Sequence, residues 1–221
     1  MLSKNSDING SFGCLISPID TRDYSLKRSV VSAHTYPEEY SIDLDAQVKD
    51  QGLVNACVAF SLSTILEQLY KKSLSTNFIY GYRRLAGYEY LGQGMYMRDA
   101  LSIVLKNGDM LYDDCPGNKE VTKVFDFVEN CVKDKDSVER AKQFKIDSYV
   151  KLKTEDDIKY SIMTNGPVLM SVQWYKSFKF DDKYKIKCLI TLEYLLFDEI
   201  LVPNEIIEIE KILKEKVFLG E

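Results

Sequence analysis

The chain has 221 residues, of which 45% are apolar and 29% charged, and its formal net charge is -5. This length and apolar content suffice for one compact core or two closely packed half-domains, so we predict a globular protein. An acidic balance with scattered lysines provides no basic field for phosphate groups, which argues against nucleic acid as a partner.

Targeting and metal-binding patterns are not visible in the sequence. The first 13 residues lack the apolar core of a secretory signal, and the longest apolar stretch, 188–202, is interrupted by three carboxylates and is too short to span a membrane. The five cysteines form no CxxC pair and only one histidine accompanies them, so we expect no metal, no cofactor and no disulfide framework. A reducing, cytoplasmic setting and a monomer are favoured.

The first half of the chain is predicted to be mostly helical. Residues 1–36 form either an extended arm laid over the surface or a floppy leader, and residues 37–48 look extended up to a Gln51-Gly52 turn. Apolar residues then recur at helical spacing over 57–72. Two further helices are predicted over 76–87 and 97–107, the latter ending at a glycine.

The second half is predicted to be mixed. Residues 119–132 are ambiguous, and 144–152 alternate like a strand. Thr154 is a candidate N-cap, with acidic residues in the first turn, for a helix to about Met163. A turn at Asn165-Gly166-Pro167 leads into a predicted strand over 168–174.

The candidate chemistry concentrates around Cys57. A helix N-terminus favours the thiolate form of a cysteine, which is the nucleophilic form. Gln51, six residues earlier, supplies a carboxamide that could reach a tetrahedral intermediate together with the backbone N–H of Cys57. A cysteine that opens an apolar helix is also typical of a small buried hydrophobic residue, so the bare pattern leaves both readings open.

Residues 51–61, with Gln51-Gly52 followed by Cys57-Val58-Ala59-Phe60-Ser61, closely resemble the active-site segment of papain-like cysteine peptidases. Other segments agree in order, and the resemblance covers about residues 14–178. Residues 19–24 and 36–44 resemble the lead-in of the bacterial and viral branch, 94–101 with 106–108 the loop and helix that border the substrate groove, and 165–168 the entry to the β half.

The resemblance implies an α+β fold of two lobes, with a helical left lobe at about 45–115 and a β-rich right lobe at about 116–187 that is incomplete. It implies that Cys57 is the nucleophile and Gln51 the oxyanion-hole donor, and that Gly94 and Met95 contact substrate, with packing at the helix start as the alternative for Met95. Substrates would be peptides or proteins.

The expected catalytic histidine is missing. In papain-like enzymes it lies roughly 130–150 residues after the nucleophile, a window that here contains none. The only histidine, His34, precedes Cys57 and is predicted to be a solvated surface residue, and Trp174 is predicted to pack in the core or the cleft. The chain is therefore interpreted as an impaired peptidase or as a non-catalytic relative that binds peptide or protein.

The tail, residues 188–221, departs from the family. Residues 189–196 and 205–214 look like amphipathic helices where relatives would have a strand pair. We interpret this tail either as read out of frame after a small insertion or deletion in the gene, or as a replaced C-terminus.

Overall fold

The fold is described from a computed structural model. It describes residues 13–15, 17–20, 36–37, 40–42, 49–52, 54–88, 94–117, 123–172, 179–180, 186–187 and 197–203. The predictions for His34, Trp174 and the two tail helices, and for most of the arm, lie outside these residues. Within the described part of the chain, no helix is both long enough and apolar enough to cross a membrane.

The contacts divide the chain into two units. The first draws on residues 1–17 and 46–146, and the second on residues 18–45 and 147–221. Among its described residues, the first unit has five α-helices: α1 Cys57–Tyr70, α2 Thr76–Leu85, α3 Met97–Asn107, α4 Val124–Cys131 and α5 Lys135–Ala141. It also contains two short strands, β1 Cys14–Leu15 and β2 Met95–Tyr96, which pair in parallel.

Helix α1 packs against α2 and α3 in this unit. Its inward positions, among them Leu62 and Leu66, are fully buried, which matches the helical periodicity of the sequence. The helix ends where Lys71 takes a left-handed conformation with φ 52° and its N–H bonds to the Glu67 carbonyl. The predicted helices over 57–72, 76–87 and 97–107 are confirmed, with the first two ending two residues early.

The segment at 119–132, which was ambiguous in sequence, contains helix α4 over Val124–Cys131. It packs on α2 at Gly81, where an added Cβ would lie 2.5 Å from Val128 Cγ2. The absence of a side chain at Gly81 therefore allows the two helices to approach closely. Because this packing partner is distant in sequence, local periodicity could not decide the segment.

The second unit contains a three-stranded antiparallel sheet. Its order is β3 Tyr149–Lys151, β7 Phe197–Pro203 and β4 Leu169–Val172, with β7 in the middle. Helix α6, Glu155–Asn165, begins at Thr154 in a reciprocal capping box with Asp157, as its sequence predicts. A small hairpin, β5 Lys179–Phe180 with β6 Ile186–Lys187, completes the described strands.

The predicted strand over 144–152 is wrong in its first half. Residues Lys142–Phe144 form a 3₁₀ turn, and only Tyr149–Lys151 form a strand. The Phe144 ring packs edge-on against Tyr70 with centroids 5.4 Å apart, and the Tyr70 hydroxyl donates to the Lys145 carbonyl. These contacts to α1 hold the segment in the first unit and override its alternating pattern.

Candidate active site

Cys57 is the first residue of α1, and a tight turn leads into it. Gly52 has φ 60° and its N–H bonds to Asp50 Oδ1 at 2.8 Å, so the predicted Gln51-Gly52 turn uses a conformation that glycine adopts without strain. The Val54 N–H then donates to the Gln51 carbonyl at 3.3 Å. Ala56, at the N-cap position of α1, makes no side-chain hydrogen bond to the first turn, so no capping side chain lies between the N–H groups of that turn and the thiol.

The Cys57 thiol is half-buried and faces backbone N–H groups. The Gly13 N–H donates to Cys57 Sγ at 3.3 Å. Burial raises the pKa of the Cys57 thiol, and hydrogen bonds from the backbone of Gly13, Val58, Cys14 and Cys57 itself oppose this shift without reversing it. The backbone donors at the helix N-terminus act in the expected direction, but loss of solvent around the sulfur outweighs them.

Gln51 lies in the same unit as Cys57, half-buried, in the turn that precedes α1. The chain between them is short and, besides the Val54–Gln51 bond, carries a bond from the Ala56 N–H to the Val54 carbonyl at 2.8 Å, so the positions of the two residues are linked through the backbone. Its role as an oxyanion donor stays a prediction.

Gly94 and Met95 stand at the start of β2. Gly94 has φ 109°, which only glycine adopts readily, and its carbonyl accepts a bond from the buried Arg83 guanidinium. The Met95 side chain is fully buried, so this residue can reach a bound peptide only through its backbone. The Met95 N–H already donates to the Gly13 carbonyl at 2.7 Å.

Sequence reasoning missed the residues that surround this site from the N-terminal side. Gly13 contacts the Cys57 thiol and belongs to the segment that pairs with β2. The only signal for it was a glycine in the first residues, and a two-residue strand has no periodicity to detect.

Within the described residues, no group of three or more candidate ligands is placed to hold a metal ion.

The fold is of the papain-like class. The sequence profile of the papain family of cysteine proteases matches residues 41–186, and the chain belongs to that family. The match ends where the sequence itself stops resembling the family, at about Lys187. No curated protein sequence matches the chain significantly.

Solved structures agree on the fold. Xylellain, a cysteine protease from Xylella fastidiosa, superposes with a TM-score of 0.69 at 18% identity, over 91% of this chain and 81% of that one. The protease and lectin-like domains of Cwp84 from Clostridium difficile give 0.56 at 20% identity, over 86% and 42%. Digestive procathepsin L 3 of Tenebrio molitor gives 0.51 at 17% identity, over 88% and 60%.

Proposed function

We propose that the chain is a cysteine peptidase that hydrolyses peptide bonds of peptide or protein substrates through a thioester on Cys57. The observation that carries this proposal is the position of Cys57, which opens α1 after the Gln51-Gly52 turn and lies inside the residues matched by the papain family. Backbone N–H groups directed at the sulfur support the same assignment.

The reaction proceeds in two steps. Cys57 Sγ attacks the scissile carbonyl carbon, the C–N bond breaks, and the amine fragment leaves with the proton that the thiol gave up. Water then attacks the thioester, which releases the acid fragment and restores the thiol. In both tetrahedral intermediates, the oxyanion accepts hydrogen bonds from the Gln51 carboxamide and the Cys57 N–H.

Proton transfer is the weak step of this mechanism. The family's histidine has no counterpart in the expected window, and the only histidine of the chain is His34. General acid–base catalysis by a positioned side chain contributes about 10²–10⁴-fold. We therefore expect turnover by this chain to be impaired by about that factor relative to a papain-like site with a histidine base.

The raised pKa of the Cys57 thiol favours a second candidate function. A neutral, half-buried thiol is a poor nucleophile. A relative that binds peptide or protein without cleaving it would not need the thiolate. This candidate differs from the first in one measurable respect, which is covalent reactivity at Cys57.

We expect a peptidyl epoxide to modify Cys57 selectively, as read by intact mass and peptide mapping. Cys57→Ser is the matched variant that removes the sulfur, and Cys14→Ser controls for the exposed thiol nearby. Turnover of a fluorogenic peptide is measured in parallel, and we expect it to be slow but abolished by Cys57→Ser.

The outcomes separate the two functions. Selective labelling with turnover supports the peptidase. Labelling no faster at Cys57 than at Cys14, with no turnover that Cys57→Ser removes, contradicts it. The binding function then requires that Cys57→Ala retain affinity for a fluorescent peptide, measured by anisotropy.

We further propose a reducing compartment for the chain. Cys57, Cys115 and Cys131 form no disulfides. A thiol nucleophile needs such a setting to remain unoxidised.

A further inference from the structure

Two thiols that the proposed function does not use lie in contact in the first unit. The Cys131 side chain is hydrogen-bonded to the Cys115 thiol, and neither residue forms a disulfide. Cys115 lies in the chain that follows α3, and Cys131 is the last residue of α4. The pair is therefore formed by two segments that only the fold brings together.

The packing of α4 against α2 explains how Cys131 reaches this place. The two helices run antiparallel, since Asp126 near the start of α4 pairs with Arg84 near the end of α2 at 3.0 Å, whereas Val128 packs against Gly81 in the middle of α2. Cys131 lies three residues after Val128 and shares its helix face. The end of α4 therefore lies beside the N-terminal end of α2.

Cys115 is fixed to the same end of α2 through its backbone. Ser75 is the N-cap of α2, where its hydroxyl accepts the Phe78 N–H at 3.1 Å. The same hydroxyl donates to the Cys115 carbonyl. The Cys115 N–H bonds to the Leu111 carbonyl at 3.1 Å. Because bonds on both sides hold this backbone, the thiol of Cys115 has a defined position next to Cys131.

The two thiols differ in their access to solvent. Cys115 is fully buried, whereas Cys131 is partly exposed. Burial raises the pKa of the Cys115 thiol, and its contact with Cys131 raises that pKa further. Since the thiolate is the reactive form, a dissolved oxidant should react with Cys131 and not directly with Cys115.

We propose that Cys115 and Cys131 are a site of reversible oxidation, at which a low-molecular-weight disulfide such as glutathione disulfide converts the two thiols into one disulfide. This bond would fasten the end of α4 to the N-terminal end of α2. The site is independent of the proposed function, because Cys57 takes no part in it.

The oxidation proceeds by two thiol–disulfide exchanges. Cys131 Sγ attacks one sulfur of glutathione disulfide, the S–S bond breaks, and the first glutathione leaves with the proton of the Cys131 thiol. Cys115 Sγ then attacks Cys131 Sγ in the mixed disulfide, and the second glutathione leaves with the proton of the Cys115 thiol. The two protein thiols lose two electrons in total, and glutathione disulfide is reduced to two glutathione molecules.

The disulfide should stabilise the first unit. It closes the short loop between positions 115 and 131, which restricts the unfolded chain, and a loop of this length has a sizeable effect. We expect the oxidised protein to melt about 6–12 °C above the reduced protein.

The experiment incubates reduced, full-length protein with glutathione disulfide at neutral pH. The remaining thiols are then blocked with N-ethylmaleimide under denaturing conditions, and peptide mapping by mass spectrometry locates each modification. We expect a cross-link between Cys115 and Cys131 that dithiothreitol removes. Cys14→Ser is the matched control, because it removes an exposed thiol outside the pair and should leave the cross-link unchanged.

Single variants test the order of the two exchanges. Cys115→Ala should trap one glutathione on Cys131, because the second exchange is no longer available. Cys131→Ala should leave Cys115 reduced, with modification at least about tenfold slower than that of Cys131 in Cys115→Ala. Circular dichroism establishes that each variant is folded, and faster modification at Cys115 than at Cys131 contradicts the proposed order.

The unaltered chain decides the proposal even where a variant unfolds. Glutathione retained on Cys131 of this chain, with no cross-link to Cys115, overturns the proposal. Thermal melting with and without the oxidant tests the fastening role, with folded Cys131→Ala expected to show no oxidant-dependent rise. A cross-link that leaves the melting temperature of the unaltered chain unchanged or lower overturns that role.

Discussion

A buried ion pair fixes the chain that leads into the Gln51 turn, and Lys49→Met tests it. Lys49 Nζ lies 2.7 Å from Glu67 Oε1 on α1 and donates to the Leu74 carbonyl at 2.9 Å. The Leu74 N–H bonds to the same Glu67 oxygen. Methionine keeps the aliphatic stem of lysine but removes its charge and both of its hydrogen bonds.

The magnitude follows from burial. The exposed side-chain fractions are 19% for Lys49 and 7% for Glu67, so the variant leaves a carboxylate with little access to water. Removing one partner of a buried pair costs about 3–5 kcal/mol, and the partial exposure of Lys49 places this case at the lower end, about 3 kcal/mol. For a chain of this size, that loss lowers Tm by about 6–12 °C.

Lys159→Met is the matched control. Lys159 pairs with Glu155 one helical turn away at 2.6 Å, but the two side chains are 44% and 55% exposed. Such a pair contributes below about 0.5 kcal/mol. Urea unfolding followed by circular dichroism compares the free energies of unfolding, and a Lys49→Met loss no larger than that of Lys159→Met would refute the reasoning.

Three further predictions concern buried groups. Burial raises the pKa of Asp109 well above its usual range. Between the unfolded-state pKa and this raised native-state pKa, the native state holds a proton that the unfolded state has lost. The free energy of unfolding should therefore fall as pH rises through this interval, by at most about 1.4 kcal/mol per pH unit. Asp109→Asn should abolish that slope in urea titrations at several pH values, whereas the exposed Asp113→Asn should keep it; parallel profiles for the native chain and Asp109→Asn would contradict the assignment. Gly108 has φ 78° and an added Cβ would lie 1.8 Å from the Ala141 carbonyl oxygen, so Gly108→Ala should cost at least about 2 kcal/mol in thermal melts, and a neutral effect would rule out this close packing. Alkylation of Cys57 should reach half its maximal rate at a pH above that of free cysteine, because burial raises the pKa of its thiol, and a midpoint below that of free cysteine would mean that the backbone donors prevail.

The helices could be predicted from the sequence because their signals are local. The apolar stripe of α1, the glycine that ends α3 and the Thr154 capping box all lie within the elements that they define. The short strands could not be predicted, since β1 and β2 are two residues each and exist only through their mutual pairing. Strand β7 lies between two segments with helical patterns and is held by partners at Tyr149–Lys151 and Leu169–Val172.

The candidate site divides in the same way. Gln51 and Cys57 could be located from a contiguous pattern, since the residues that specify a turn and a helix start are neighbours in sequence. The protonation state of the thiol could not be predicted in this way, because it depends in part on Gly13, which is 44 residues away in sequence. Desolvation by distant chain is a tertiary effect, and the helix-terminus argument considers only local charge.

The missing histidine and the burial of the thiol both affect the protonation state of Cys57. The missing histidine removes one source of thiolate stabilisation, and burial favours the neutral thiol more strongly than the hydrogen bond from the Gly13 N–H favours the thiolate. Both effects favour the neutral form, so the thiolate of Cys57 should be a minor species at neutral pH.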